Sequence, residues 1–142
     1  VKREYLRDER TTDRRGRPRW QASAIDPKSP IRVGESILMR LTLAAPAAIA
    51  YVMVEDPKPA GFEIEDVLPP GADRPWGTWA EARDERAAFF LPRVDAGETV
   101  VEYLLRPEIA GAFTALPASA GPMYDPDLVA RGDQVRLRVT AK

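Results

Sequence analysis

The chain of 142 residues has no cysteine, no histidine and no asparagine. Without cysteine it can form no disulfide, no thiolate nucleophile and no sulfur-ligated zinc site. Without histidine it lacks the usual general base, the commonest metal ligand and every serine–histidine–aspartate arrangement. Without asparagine, N-glycosylation has no acceptor. No apolar run approaches the length of a membrane-spanning helix, so direct membrane insertion is not expected. Neither sign of charge is in excess. With 21 Lys+Arg against 22 Asp+Glu the net charge is −1, which gives no whole-molecule field for nucleic acid or anionic lipid. Gly-x-Gly-x-x-Gly and Walker patterns do not occur, so phosphate cradling has no support. These absences exclude most enzyme classes. No catalytic residue, no cofactor and no metal site is expected.

What is present is a globular composition. Hydrophobic residues make up 44%, with three Trp, four Tyr and four Phe. The length suits one domain over residues 1–142, able to bury roughly 68% of its unfolded surface. Charge is distributed unevenly. Residues 1–20 carry eight basic side chains (Lys2, Arg3, Arg7, Arg10, Arg14, Arg15, Arg17, Arg19) against four acids. Their signs alternate, and Arg17-Pro18-Arg19-Trp20 reads as a solvated turn rather than a nucleic-acid arm. The chain begins with Val, so it is expected to be a processed chain or a piece of something larger. The lack of a targeting segment therefore says little about location.

The hydrophobic period is mostly two, the period of strands. Ile37, Met39, Leu41 and Leu43 alternate with Leu38, Arg40 and Thr42. The same holds for Val101, Tyr103 and Leu105, for Val135, Leu137 and Val139, and for Phe62 and Ile64. Each run sends one face inward and leaves the other outward, as antiparallel sheets permit. Ala47–Val54 and Ala87–Leu91 are apolar on both faces and read as central strands. Further strands are expected at Lys2–Arg7, Trp20–Ile25, Trp79–Arg83 and Gly111–Leu116. Turn residues punctuate these runs, notably Gly34, Pro59 with Gly61, Pro70-Gly71, Gly97 and Gly111. About nine or ten short strands with frequent turn signals make an antiparallel β-sandwich of immunoglobulin-like type. The longest irregular stretches are 10–19 and 67–76. At most one helical turn is expected, around Asp125–Ala130, where Asp125 can cap and Pro126 can take the first helical position.

Several residue groups carry candidate chemistry. Glu55-Asp56, Glu63-Glu65-Asp66 and Asp84-Glu85 could pair as an acid and a base, but adjacent acids at strand ends are usually solvated. Asp125-Pro126-Asp127 could open a calcium loop, yet Val129 and Ala130 break the ligand pattern. Arg131-Gly132-Asp133 spells an adhesion tripeptide, but more simply makes the turn into the last strand. Ser23, Ser29, Ser36 and Ser119 have no base, and Lys28 beside Ser29 is too exposed to serve as one. Trp76 and Trp79 could form an aromatic platform for a sugar or a protein partner, although sandwich domains often bury such residues at the sheet mouth. The segment Ala118–Pro126 holds little core-forming material and then places Met123 beside Tyr124, between Pro122 and Pro126. In an extended segment neighbours point to opposite sides, so one or both are expected to face a surface outside the domain.

Four blocks in order give the chain a family resemblance. They are Ile31-Arg32-Val33-Gly34-Glu35 followed by SILMRLTL, then YVMVEDPKPAGFE at 51–63, then ARDERAAFFLPRVDAGETVVEYLLRPEIAGAFTALPASAGPMYDP at 82–126, and the closing QVRLRVTA. Together they resemble the C-terminal, receptor-binding-like macroglobulin domain of bacterial alpha-2-macroglobulins. Residues 1–30 match loosely, through Arg3-Glu4-Tyr5. The resemblance implies a domain of a large periplasmic, often lipid-anchored, protease trap. In such a trap a protease cuts a bait segment and an internal thioester captures it. The Cys-x-Glu-Gln of that thioester lies in another domain and is absent here. Met123 and Tyr124 are implied to cover the bond and exclude water, a role suited to an apolar yet adaptable pair. The eukaryotic receptor helix with paired lysines is not carried over, because the chain has four scattered Lys.

The leading expectation is thus a non-enzymatic docking and shielding domain. Its partners would be other domains of its parent chain and, through the whole molecule, target proteases. The alternative is a free-standing immunoglobulin-like module binding a cell-envelope protein or glycan through Trp76 and Trp79.

Overall fold

A computed structural model describes residues 1–25 and 29–142 of the protein, without the side chains of 8–11 and 19–22. Lys28 and the side chains of Arg10, Arg19 and Trp20 therefore lie outside the described residues. Thirteen strands are present: β1 (Lys2–Thr12), β2 (Pro18–Ala24), β3 (Ile31–Arg32), β4 (Ile37–Ala45), β5 (Ile49–Pro57), β6 (Phe62–Asp66), β7 (Trp79–Ala82), β8 (Arg86–Val94), β9 (Gly97–Pro107), β10 (Gly111–Ala115), β11 (Ser119–Pro122), β12 (Ala130–Arg131) and β13 (Val135–Thr140). Ten match the strands expected from sequence. β3, β11 and β12 are additional, each too short to carry a visible alternation.

One layer is a five-stranded sheet in the order β2-β1-β4-β9-β6. Facing it is a second five-stranded sheet, β12-β11-β5-β8-β7, accompanied by the smaller sheet β10-β13-β3. Alternation builds the core between the layers as the sequence implies. Ile37, Met39, Leu41, Val101, Tyr103 and Leu105 from one layer meet Val52, Val54, Phe89 and Leu91 from the other, all buried. Phe89 and Tyr103 touch across the layers with ring centroids 5.6 Å apart. Leu38 departs from expectation. It is buried on the outer face of its sheet with Leu6 and Leu104, its partners in register.

β10 and β11 continue one another, as do β12 and β13. Ala115 pairs with Val135 and Ser119 with Arg131, so the two pairs share a single register. They form one long hairpin interrupted at residues 116–118 and 132–134. Pro117 has no N–H to give to a ladder there. Arg3 enters the break and donates to the carbonyls of Ala115, Leu116 and Asp133 at 3.3, 2.7 and 3.1 Å. Gly132 donates to Ala118 O, and a Cβ on it would sit 2.8 Å from Val1 O, so only glycine fits. Arg131-Gly132-Asp133 is thus not the turn expected there but runs from the end of β12 into the break before β13, which continues the same limb.

Three further expectations need correction. The stretch 10–19 is not irregular. β1 and β2 extend into it and close a tight hairpin, in which Asp13 Oδ1 accepts from the N–H groups of Arg15 and Arg17 at 2.8 and 2.9 Å. Asp125–Ala130 forms no helical turn. Leu128 N donates to Asp125 O at 3.2 Å in a reverse turn, and the fixed φ of Pro126 suits that turn as well as a helix start. Ala118–Pro122 is not mere connection. Ala118 and Ala120 are buried, and β11 pairs with β5.

Candidate interaction surface at the hairpin tip

The tip of the long hairpin carries Met123 and Tyr124. β11 runs antiparallel to β5 up to Pro122, opposite Val52. Met123 N then donates to Tyr51 O at 2.7 Å, and Asp125 N to Pro122 O at 3.3 Å, so the chain turns sharply. Neither side chain returns to the core. Met123 is 44% and Tyr124 81% exposed.

Tyr51 joins them, a residue that sequence reasoning placed inside a strand apolar on both faces. It is 55% exposed, and its ring meets Tyr124 edge to face at 5.7 Å. Tyr51 has φ 52°, the only non-glycine residue at positive φ among those described. Such a backbone costs free energy, of order 1–3 kcal/mol, in a residue with a Cβ. The opposing β8 residue is Pro92, which lacks a donor, and the ladder resumes at Val52–Leu91 without a change of register. The kink turns the Tyr51 carbonyl to the Met123 N–H. A tyrosine amid small aliphatics facing a proline was the available signal.

Close packing holds the tip in place. A Cβ on Gly121 would lie 2.5 Å from Leu128 O, so the returning limb rests directly on a glycine. Beside the tip lies an apolar groove of about 340 Å³, walled by Leu43, Val52, Val94, Leu128 and Val129.

The other candidates fall elsewhere. Trp76 is 96% and Trp79 62% exposed, which corrects the view that they are buried at the sheet mouth. β7 is an edge strand and the Pro75–Thr78 turn precedes it, so neither indole has a layer above it. Trp79 Nε1 donates to Glu81 at 3.3 Å. Gly34, Gly61, Gly97 and Gly111 all have positive φ, β5 ends at Pro57 just before Pro59, and Pro126 lies in the tip. Gly61 and Gly111 flank the Phe113 ring so closely that a Cβ on either would press on it.

The paired acids do not converge. Glu55 binds Arg86 at 2.8 Å, Glu63 binds Lys58 at 3.0 Å, and Glu65 accepts from Ser36 at 2.7 Å. Asp56 was expected to be solvated. It is fully buried, between Arg3 Nη1 at 2.5 Å and the Tyr103 hydroxyl at 2.6 Å. Burial pushes its carboxyl up, and the Arg3 charge and both hydrogen bonds work against that rise. This cluster joins the layers. Among the described residues no group of acids could hold a metal ion.

Comparison with known proteins bears on what the tip is for. A model of the bacterial alpha-2-macroglobulin MG10 domain matches residues 1–127, taking in residues 1–30 and stopping short of the closing strand. Salmonella alpha-2-macroglobulin reacted with methylamine superposes with a TM-score of 0.71 at 24% identity, over 98% of this chain and 9% of that one. Escherichia coli alpha-2-macroglobulin activated by porcine elastase gives 0.72 at 21% identity, over 97% and 13%. At such identities these likenesses speak for the fold. A Dictyostelium discoideum protein, circularly permutated Ras protein 2, is 25% identical over 107 residues, which are 75% of this chain and 3% of that protein. The chain thus spans a small fraction of each of these three proteins. With the family model covering nearly its whole length and solved macroglobulins sharing its sandwich, the chain belongs to the bacterial alpha-2-macroglobulin MG10 domain family.

Proposed function

We propose that the chain is the docking and shielding domain of a bacterial protease trap of the periplasm or cell envelope. Its Met123–Tyr124 tip covers a reactive thioester carried by a neighbouring domain of the parent. The observation that supports this reading is the tip itself. Two aromatic rings and a thioether stand exposed on a turn that Met123 N, Tyr51 O and Gly121 hold in place. A thioester survives only where water and amines are kept away. An apolar cap on a rigid base does this, and burying each such side chain stabilises the contact by about 1.5–3 kcal/mol. The domain contributes no nucleophile of its own, consistent with an absence of cysteine and histidine. The Salmonella protein's reaction with methylamine, a small nucleophile, and the E. coli protein's activation by elastase fit such a parent.

The test is Tyr124→Gly in a parent chain that carries the thioester. Losing that contact raises the uncovered population about 10- to 100-fold. Amine incorporation and free-thiol appearance should accelerate in proportion. An unchanged rate removes the shielding role and leaves Met123 and Tyr124 as plain interdomain contacts. Trp76 and Trp79 support a second contact, with an envelope protein or glycan, because both indoles are exposed without a protein cover.

A further inference from the structure

On the side of the sandwich away from β7, two strand edges have no strand beside them among the described residues. β3 pairs with β13 only at Val139 and Thr140, so residues 135–138 have no neighbour on that side among the described residues. Thr140 O accepts from Val33 N at 3.0 Å on this edge. By the two-residue period of a strand, Arg138 and Arg136 turn their main-chain groups the same way. Across a cleft of about 270 Å³ lies the start of β1. β2 covers β1 only from Leu6 onward, and Tyr5 O accepts from Ile25 N at 3.1 Å, so the main chain of Arg3 faces the cleft.

The side chains along the β13 edge are cationic. Arg136 and Arg138 are exposed, and neither makes an ion pair or side-chain hydrogen bond among the described residues. Arg32, opposite Thr140, extends the same exposed face, and its guanidinium also has no partner there. Glu4 is the acid lining the cleft, and Lys2 lies 3.8 Å from it.

We propose that this edge receives an extended polypeptide with acidic side chains at alternate positions, added as a strand beside β13. Main-chain bonds to Arg136 and Arg138 supply the ladder, and residues directly opposite them share their face, so carboxylates spaced two apart meet both guanidinium groups. A second copy of this chain is disfavoured as the occupant, because edge-to-edge pairing would set arginine against arginine.

The probe is a capped octapeptide alternating glutamate and valine, added to the 142-residue chain while amide exchange is followed. Exchange at Arg136 and Arg138 should slow at least tenfold. Methylating the peptide's amides on one alternate set should abolish the effect, and methylating the other set should not. The pair Arg136→Glu and Arg138→Glu should reject this peptide and accept a lysine–valine one, while Arg136→Lys with Arg138→Lys keeps the original preference. The proposal is overturned if exchange at the two arginines does not change. It is equally overturned if dextran sulfate protects them as well as the peptide does, if the peptide protects the Met123–Tyr124 tip instead, or if the chain self-associates through this edge.

Discussion

At the scale of single residues, two tyrosines a short distance apart show how context sets worth. The Tyr103 hydroxyl is fully buried and donates to Asp56, which Arg3 also binds. The Tyr5 hydroxyl is buried with no partner, near the same cluster. Burial pushes both phenols well above their ordinary range, so each is a neutral donor at any ordinary pH. Removing the Tyr103 hydroxyl leaves a buried carboxylate oxygen unpaired, a loss of about 1–3 kcal/mol. Removing the Tyr5 hydroxyl deletes a polar atom that gains nothing from burial. Tyr103→Phe should therefore lower the urea midpoint clearly, while Tyr5→Phe leaves it unchanged or raises it. Equal effects of the two would show that the Asp56 bond adds no net stability. Part of this was legible in the sequence. Asp56 shares the phase of Val52 and Val54, the inward phase of β5, so alternation alone argued for burial against its acidic neighbour Glu55. Its partner was not legible, because Arg3 lies 53 positions away and only the meeting of two layers joins them.

Among the elements, the strands with four or more alternating residues were readable, because burial of one face writes itself into the sequence. Those that escaped are held by position rather than pattern. β11 carries Ser119, Ala120, Gly121 and Pro122, a poor strand by propensity, and exists because β5 and β12 flank it. Its small residues looked like loop material and are instead a packing requirement. Gly121 is the clearest case, since Leu128 O occupies the space a Cβ would need. Gly121→Ala must push the returning limb away from β11 and loosen the tip, at a cost of about 1–3 kcal/mol. Nuclear Overhauser contacts between the Tyr51 and Tyr124 rings should weaken in this variant, while those between Phe89 and Tyr103 persist. If the Tyr51–Tyr124 contacts are undisturbed, the glycine is not what seats the tip. The same logic explains the exposed tryptophans. Indoles usually seek a core, but Trp79 sits on an edge strand and Trp76 in the turn before it, and neither fact is visible without the strand order.

On the scale of the whole molecule, five of the nine exposed large hydrophobic side chains among the described residues gather in one place, while Trp76, Trp79, Ile109 and Leu116 stand apart. Tyr51, Met123, Tyr124, Leu128 and Val129 all belong to the hairpin tip or to the strand beside it. Clustered exposed hydrophobes mark surfaces that bind something, and the chain spans 9% and 13% of the Salmonella and Escherichia coli macroglobulins compared above. The three methionines provide an internal gauge, with Met39 fully buried, Met53 partly buried and Met123 44% exposed. Thioethers oxidise according to solvent access. In the isolated chain, brief peroxide treatment followed by peptide mass analysis should oxidise Met123 first and Met39 last. In the intact parent the Met123 rate should fall toward that of Met39, and Tyr124→Gly should restore part of it, because the ring beside the thioether no longer seals the contact. Met123 oxidising equally fast in parent and fragment would mean that the tip faces solvent in the assembled protein. The shielding role would then have no surface to act through, whatever the thioester chemistry of the neighbouring domain.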